Sequence, residues 1–360
     1  MKLPRVHLAL ALFAALAFAG AGRADLTEGM KKGTPDLKSV SALTFGPEGI
    51  LFIGDPQGGA IFAVATGDTK ASDATGGIKV ADINEKIASL LGIESSKLLI
   101  KDLAVNPAST NAYLGVMRGT GRDAAPALVR VERGTNKVTA FDLKDVSFSK
   151  VTLPKAVQRQ EAITSLGYAG GKLYVAGLSN EDFNSTLRSI PFPFKEAERG
   201  AGIQIFHGAH GRLETNAPVQ TFTPFDIKGE THLLAAYTCT PLVKIPVSEL
   251  KPGAKVKGKT VAELGNRNKP LDMVVYDKDG KRFILIANTS RGVMKVSTEG
   301  VEDIEPITKP VRGGGTAGLK YEKITDLKGV VQLAKLDDKQ ALIVTRASDG
   351  AMTLDTIALP

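Results

Sequence analysis

Tryptophan is absent from the 360 residues, so the repeats that rely on a recurring tryptophan (WD40, kelch and Asp-box) are excluded as readings of any periodicity here. Cysteine occurs once, at Cys239, which rules out an intramolecular disulfide and leaves stability to the core. No haem-attachment or metal-cluster motif occurs. After residue 24 no apolar run approaches the roughly 20 residues that a spanning helix needs. What is plentiful is turn chemistry: 38 glycines and 18 prolines accompany 43% hydrophobic and 23% charged residues. That composition is globular and favours strands over helices, and it excludes collagen, coiled coil and wholesale disorder.

Residues 1–24 carry Lys2 and Arg5, an apolar run from Val6 to Ala19, and the small-residue exits Ala19-Gly20-Ala21 and Gly22-Arg23-Ala24. Basic start, short apolar centre and small exit are the three parts of a secretory signal peptide. The alternative is an uncleaved anchor, against which the short run argues. The expectation is an exported protein, periplasmic or secreted, whose mature chain of residues 25–360 is not inserted in a membrane. Losing Lys2, Arg5 and Arg23 lowers the net charge from +8 to +5, too little to argue for nucleic acid without a clustered patch.

Repeats decide the architecture. Pro270 to Tyr276, the turn Asp277-Lys278-Asp279-Gly280, Arg282 to Ala287, a turn at Asn288 to Gly292, and Val293 to Val296 read as strand, turn, strand, turn, strand. The cadence recurs from Ser41, Asp102, Thr164, near Pro224 and near Gly329. Six copies at roughly 45 to 60 residues predict radial four-stranded blades, since one small sheet cannot bury both faces alone. The predicted fold is therefore all-β, a six-bladed β-propeller forming one domain over 25–360, with two β-sandwiches as the alternative. The first ordered residues are expected to pair into the last blade and close the ring. Two interruptions stand out: a short amphipathic helix near 82–92 that ends at Gly92, and a long loop insertion near 179–202 offered as a lid or docking element.

Strings such as Ala42-Leu43-Thr44-Phe45-Gly46-Pro47-Glu48-Gly49 and Leu51-Phe52-Ile53-Gly54-Asp55 resemble the six-bladed propellers of the NHL, TolB-like and SMP-30/gluconolactonase group. In the gluconolactonase branch, the resemblance implies a divalent cation, commonly calcium, at the channel mouth, held by a Glu, two Asn and an Asp. That set has no motif-by-motif counterpart in this chain.

Overlaying the first strands puts Ser41, Asp102, Thr164, Asp226, Asp272 and Gly329 at one equivalent position. Three aspartates would then face a shared axis, where like charges need a cation, a basic partner or water. An all-oxygen cluster of Asp102, Asp226 and Asp272, joined by Glu161, suits Ca2+; the alternative is that each Asp bonds backbone amides at its strand start or in a neighbouring blade. Turns on that face add Arg118, Arg122, Asn288, Arg291 and Arg346, with Asn266-Arg267-Asn268, a set suited to a carboxylate or phosphate. His207-Gly208-Ala209-His210 has metal-pair spacing but reads as a hairpin turn. If His232 joined the pair, zinc or copper would become plausible. Cys239 reads as a small buried or semi-buried residue with no identifiable partner histidine.

Two functions follow as expectations. One is a scaffold that binds a small anionic ligand or a protein partner on the loop-rich face. The other is a divalent-metal-dependent hydrolase of the lactonase or phosphoesterase kind, in which the metal activates water and Glu161 is ligand or base.

Overall fold

A computed structural model describes residues 26–121, 124–157 and 159–360, so the signal-peptide reading and Arg122 lie outside the described residues. The chain forms six sheets arranged as blades around a central channel, antiparallel except where Lys255–Lys257 pairs in parallel with Ala201–His207, a six-bladed β-propeller. Numbered by their innermost strands, blade I holds Leu43–Phe45, Ile50–Asp55, Ala60–Ala65 and Val146–Thr152, with Lys31–Gly33 outermost. Blade II holds Leu98–Val105, Ala112–Arg118, Ala125–Val131 and Val138–Phe141. Blade III runs Ser165–Ala169, Lys172–Leu178, Ser185–Pro191, Ala201–His207 and Arg212–Glu214. Blade IV runs Val219–Ile227, Glu230–Tyr237, Pro241–Pro246, Lys259–Leu264 and Thr316–Gly318. Blade V holds Pro270–Lys278, Lys281–Asn288, Gly292–Ser297 and Tyr321–Ile324; blade VI holds Val330–Lys335, Gln340–Arg346, Met352–Ala358 and Lys79–Val80.

The order around the ring is II, I, III, IV, V, VI and back to II, so blade II is inserted in sequence between the third and fourth strands of blade I. Closure differs from the expectation. The first described strand, Lys31–Gly33, joins blade I, and it is Lys79–Val80 that completes blade VI by pairing with Leu354 and Asp355.

The middle strands are apolar on both faces because each blade is covered on both sides. In Ile50–Asp55, Ile50 and Phe52 enter the core against blade III while Leu51 and Ile53 enter the core against blade II. Six such cores occur, one per blade junction. Each fully buried Ile, Leu or Phe contributes about 1.5–3 kcal/mol, so Phe52→Ala should open the I–III junction. The helix Ile83–Leu91 drives Ile83, Ile87 and Ala88 into the junction of blades VI and II and stops at Gly92, whose φ of +68° suits glycine.

The segment 179–202 is not one long loop. Ser185–Pro191 is the third strand of blade III, paired with Lys172–Leu178 along its full length. It reads as polar because Thr186 and Arg188 are buried, the guanidinium donating to the Pro154 carbonyl at 2.6 Å. Phe192 and Phe194, expected in a lid, pack on Phe52 at the opposite end of the blade from the channel mouth described below.

Candidate functional site

Every innermost strand starts with a bulge. Register slips by one residue at Lys101, Gln220, Leu271 and Val331. In blades I and III the same step is made where Ser41 and Thr164 donate their N–H to Gly54 and Ala176 carbonyls. A bulge re-aims side chains at a rim; here it turns two successive residues per blade toward the channel. The channel interior, about 510 Å³, and its mouth, about 330 Å³, share Ser41, Lys101, Thr164, Gln220 and Gln332.

Four polar side chains of the channel are stitches between blades, all running in one direction around the ring. Asp102 of blade II accepts the Leu43 N–H of blade I at 2.6 Å, and also its own neighbour Leu103 at 2.8 Å. Thr164 of blade III donates to the Val219 carbonyl of blade IV, and Gln332 of blade VI to the Lys101 carbonyl of blade II. Asp272 of blade V accepts Leu333 N–H of blade VI at 3.0 Å and Met273 N–H at 2.9 Å. Both aspartates sit deep in the ring while part of each side chain still faces the channel. Burial pushes Asp102 up to about 7, and burial plus the charge of Asp102 raises Asp272 well above the usual carboxylate range.

Of the four expected metal ligands, Asp102 and Asp272 share the channel, but Asp226 does not join them. Asp226 lies at the far end of its strand, opposite Thr231, where its Oδ1 accepts the Gly229 N–H. Blade IV's inner strand starts at Val219, and Pro224, read as its start, sits mid-strand; an innermost strand is a sheet edge, where proline is tolerated. Gly329 likewise precedes the true equivalent, Gln332. Glu161 does line the mouth but is exposed and lies 3.9 Å from Arg159.

The expected anion set is also rearranged. Asn288 is buried, its amide donating to the Ile286 and Gly292 carbonyls and its Oδ1 accepting from Asn268 Nδ2. Asn268 returns a bond to Ser290 N–H, and Arg291 clamps the Asn266 carbonyl at 3.0 Å. These residues build turns. Arg118, Arg267 and Arg346 are exposed at the mouth face; Arg346 shares a groove of about 730 Å³ between blades V and VI with Asn288 and Arg291.

Sequence reasoning missed Lys101 and Lys269, which line the mouth together. The signal was present as a lysine immediately before each of Asp102 and Pro270, but finding it required placing the bulges. Burial, then the neighbouring charge of Lys269, holds the Lys101 ammonium below its ordinary range. Among the described residues no carboxylate lies within 4 Å of either ammonium.

Three further residues are repositioned. His232 opens the second strand of blade IV at the face away from the mouth and bonds the Glu230 carbonyl, so it does not join the other two histidines. His207 and His210 do meet a partner, and it is Cys239: one ligating atom from each lies within 4.8 Å of the others. Cys239 is half-exposed, and its partner histidines come from the neighbouring blade rather than from nearby sequence.

No family model matches the chain, and no curated protein matches it. Among solved structures it is similar to an oxidoreductase described as a glucose dehydrogenase from Thermus thermophilus, at 13% identity over 91% of this chain and 100% of that one, with a TM-score of 0.38. It is also similar to the PQQ-bound aldose sugar dehydrogenase of Streptomyces coelicolor, at 13% identity over 91% and 96% with a TM-score of 0.35. A third similarity is to the soluble aldose sugar dehydrogenase of Escherichia coli, at 13% over 92% and 99% with a TM-score of 0.31. At these scores no residue of those proteins is carried onto this chain.

Proposed function

We propose that the protein is a binding propeller that takes a small carboxylate- or phosphate-bearing ligand at the channel mouth. The observation that carries this reading is Lys101. Ser41, Thr164, Gln220, Gln332 and both channel aspartates bond to backbone groups, whereas the Lys101 ammonium, partly buried beside Lys269, has no carboxylate within 4 Å among the described residues. A desolvated cation attracts an anion more strongly than a solvated one. A concave mouth of this size suits a small molecule better than a protein surface. No helix among the described residues is long and apolar enough to cross a membrane, and export rests on the N-terminal segment alone.

The test is calorimetric titration with inorganic phosphate and with succinate. Lys101→Met and Lys269→Met should each weaken the better ligand about tenfold, or about 1.4 kcal/mol. Saturable binding that is unchanged in the double variant would place the site elsewhere.

Calcium in the channel is the second reading, favoured by one observation: two carboxylates close enough for each other's charge to oppose ionisation, which a dication would relieve. It would be held by Asp102 and Asp272 through their second lone pairs, with Glu161 above them and without Asp226. Metal analysis of protein purified without chelator separates the readings: about one calcium per chain, lost in Asp272→Ala, supports the ion and a hydrolytic use of it.

A further inference from the structure

The meeting of His207, His210 and Cys239 is built from three separate devices. The first is the turn. Ala201–His207 ends in Gly208-Ala209-His210-Gly211, and Gly211 N–H returns to the His207 carbonyl at 2.8 Å, so the two imidazoles lie against each other with centroids 3.7 Å apart and planes tilted by 33°. The turn is pressed against its surroundings. A Cβ on Gly208 would meet Val311 and Glu263 at 2.8 and 2.9 Å, and one on Gly211, at φ +67°, would meet Pro310 at 3.0 Å. Fully buried Glu263 accepts the Gly208 N–H.

The second device is Glu214. Its Oε2 contacts His207 Nδ1 and its Oε1 contacts His210 Nδ1, both at 2.8 Å, while Arg212 Nε donates to Oε1 at 3.1 Å. A carboxylate accepts only, so both imidazoles donate from Nδ1 and both Nε2 atoms are left with a free lone pair. His207 is 2% exposed, yet among the described residues its Nε2 has no hydrogen-bond partner. A buried acceptor left without a donor is costly unless something else occupies it.

The third device is the Cys239 turn between the second and third strands of blade IV. Cys239 and Thr240 both take left-handed backbone, with φ of +61° and +56°, where Asn and Gly are the residues that fit. The turn is fixed from three sides: Cys239 N–H donates to the Asn268 carbonyl, Thr240 N–H to Tyr237, and the Thr240 hydroxyl to the Gly265 carbonyl.

We propose that His207 Nε2, His210 Nε2 and Cys239 Sγ form a transition-metal site at the junction of blades III and IV, with zinc as the ion it fits. Two imidazoles and one thiolate are a nitrogen and sulfur donor set, which suits zinc or copper and not calcium. Glu214 is the outer carboxylate that fixes tautomer and ring orientation, the commonest support for a ligating histidine. Tetrahedral N and S ligands lie about 3.4–3.8 Å apart, so closing the trio on an ion takes a movement of about 1 Å. His210 is 42% exposed and Cys239 half-exposed, so the fourth position faces solvent and would be filled by water or an incoming ligand. The site is separate from the channel mouth and stands or falls independently of it.

The experiment titrates untagged, chelator-stripped chain with Co2+ and follows the thiolate-to-metal charge-transfer absorption. The expected result is one equivalent bound, an absorption band that Zn2+ displaces, and loss of that band in Cys239→Ser. Glu214→Gln should keep the band but weaken Co2+ affinity by about 10–100-fold, the usual loss for an outer-sphere partner. Asp226→Asn, at the far end of blade IV, should leave both unchanged. Absence of a band at saturating Co2+, or the same stoichiometry and affinity in Cys239→Ser and His210→Ala, overturns the proposal.

Discussion

The channel and the III–IV junction both gather side chains of the kind that bind metals, and they leave them in opposite states. In the channel, each oxygen of Asp102 and Asp272 already accepts a backbone N–H, one from its own strand and one from the next blade. At the junction, Glu214 takes both Nδ1 atoms, and among the described residues the buried Nε2 of His207 is left without a donor. The lesson is that residue type nominates a ligand, but the lone pair that is still free decides. The same logic separates Lys101 from Asn288, whose amide is spent on a turn, and from Arg291, whose Nε and Nη2 hold the Asn266 carbonyl.

The largest expected effect tests that contrast on stability. Asp102→Ala leaves two amide donors, Leu43 and Leu103, without an acceptor and removes the II–I stitch, and should cost about 2–4 kcal/mol in urea unfolding with chelator present. His210→Ala under the same conditions removes an exposed ring and should cost under about 1 kcal/mol. Equal losses would erase the distinction between a structural and a poised cluster. Next in size is ligand stabilisation. Zn2+ at about 100 times its Kd should add about 2.7 kcal/mol to the wild type, the same to Asp272→Asn, and nothing to Cys239→Ser.

A smaller effect concerns pH. The folded ring keeps protons on Asp102 and Asp272 at pH values where the unfolded chain, with ordinary carboxyls near 3.8, has released them. The folded state therefore binds more protons over that range, so these groups favour folding most below about pH 4 and less as pH rises toward about 7. Asp272→Asn should flatten the decline, because it removes the carboxyl that burial and the charge of Asp102 both raise. Denaturation midpoints measured from about pH 4 to 8 show this directly, and an unchanged slope would mean that channel water already screens the pair. If calcium binds there, adding it should flatten the wild-type slope as well.

The middle strands were legible because burial on both faces writes long apolar runs, as in Ile50 to Ile53 and Ile284 to Ala287. Where the polar pattern and the burial disagree, the reading fails. Ser185–Pro191 hides behind buried Thr186 and Arg188, and Pro224 masks the middle of an edge strand. Ring closure by the two-residue strand Lys79–Val80 carries no local signal, since its pairing partner is Leu354. The pair Asp102 and Asp272 was legible by alignment of blades. The junction site was only half so: the histidine spacing is local, but its meeting with Cys239 depends on how blade III leans on blade IV, and Glu214 is recognisable only from the bonds it makes.

Asp226 gives the finest test, because simple alignment places it with Asp102 and Asp272 while the bulged register places it at the other end of the blade. Its Oδ1 holds one turn amide, Gly229 N–H, at 3.0 Å, and no group of another blade depends on that bond. Asp226→Ala should therefore cost no more than about 0.5–1 kcal/mol, the value of one solvent-accessible hydrogen bond. It should leave metal content, phosphate affinity and the pH slope as they are. A variant that instead matched Asp102→Ala in stability or shifted the pH profile would show that the inner strand of blade IV is slipped toward the mouth, and the bulge at Gln220 that positions the channel residues would have to be redrawn.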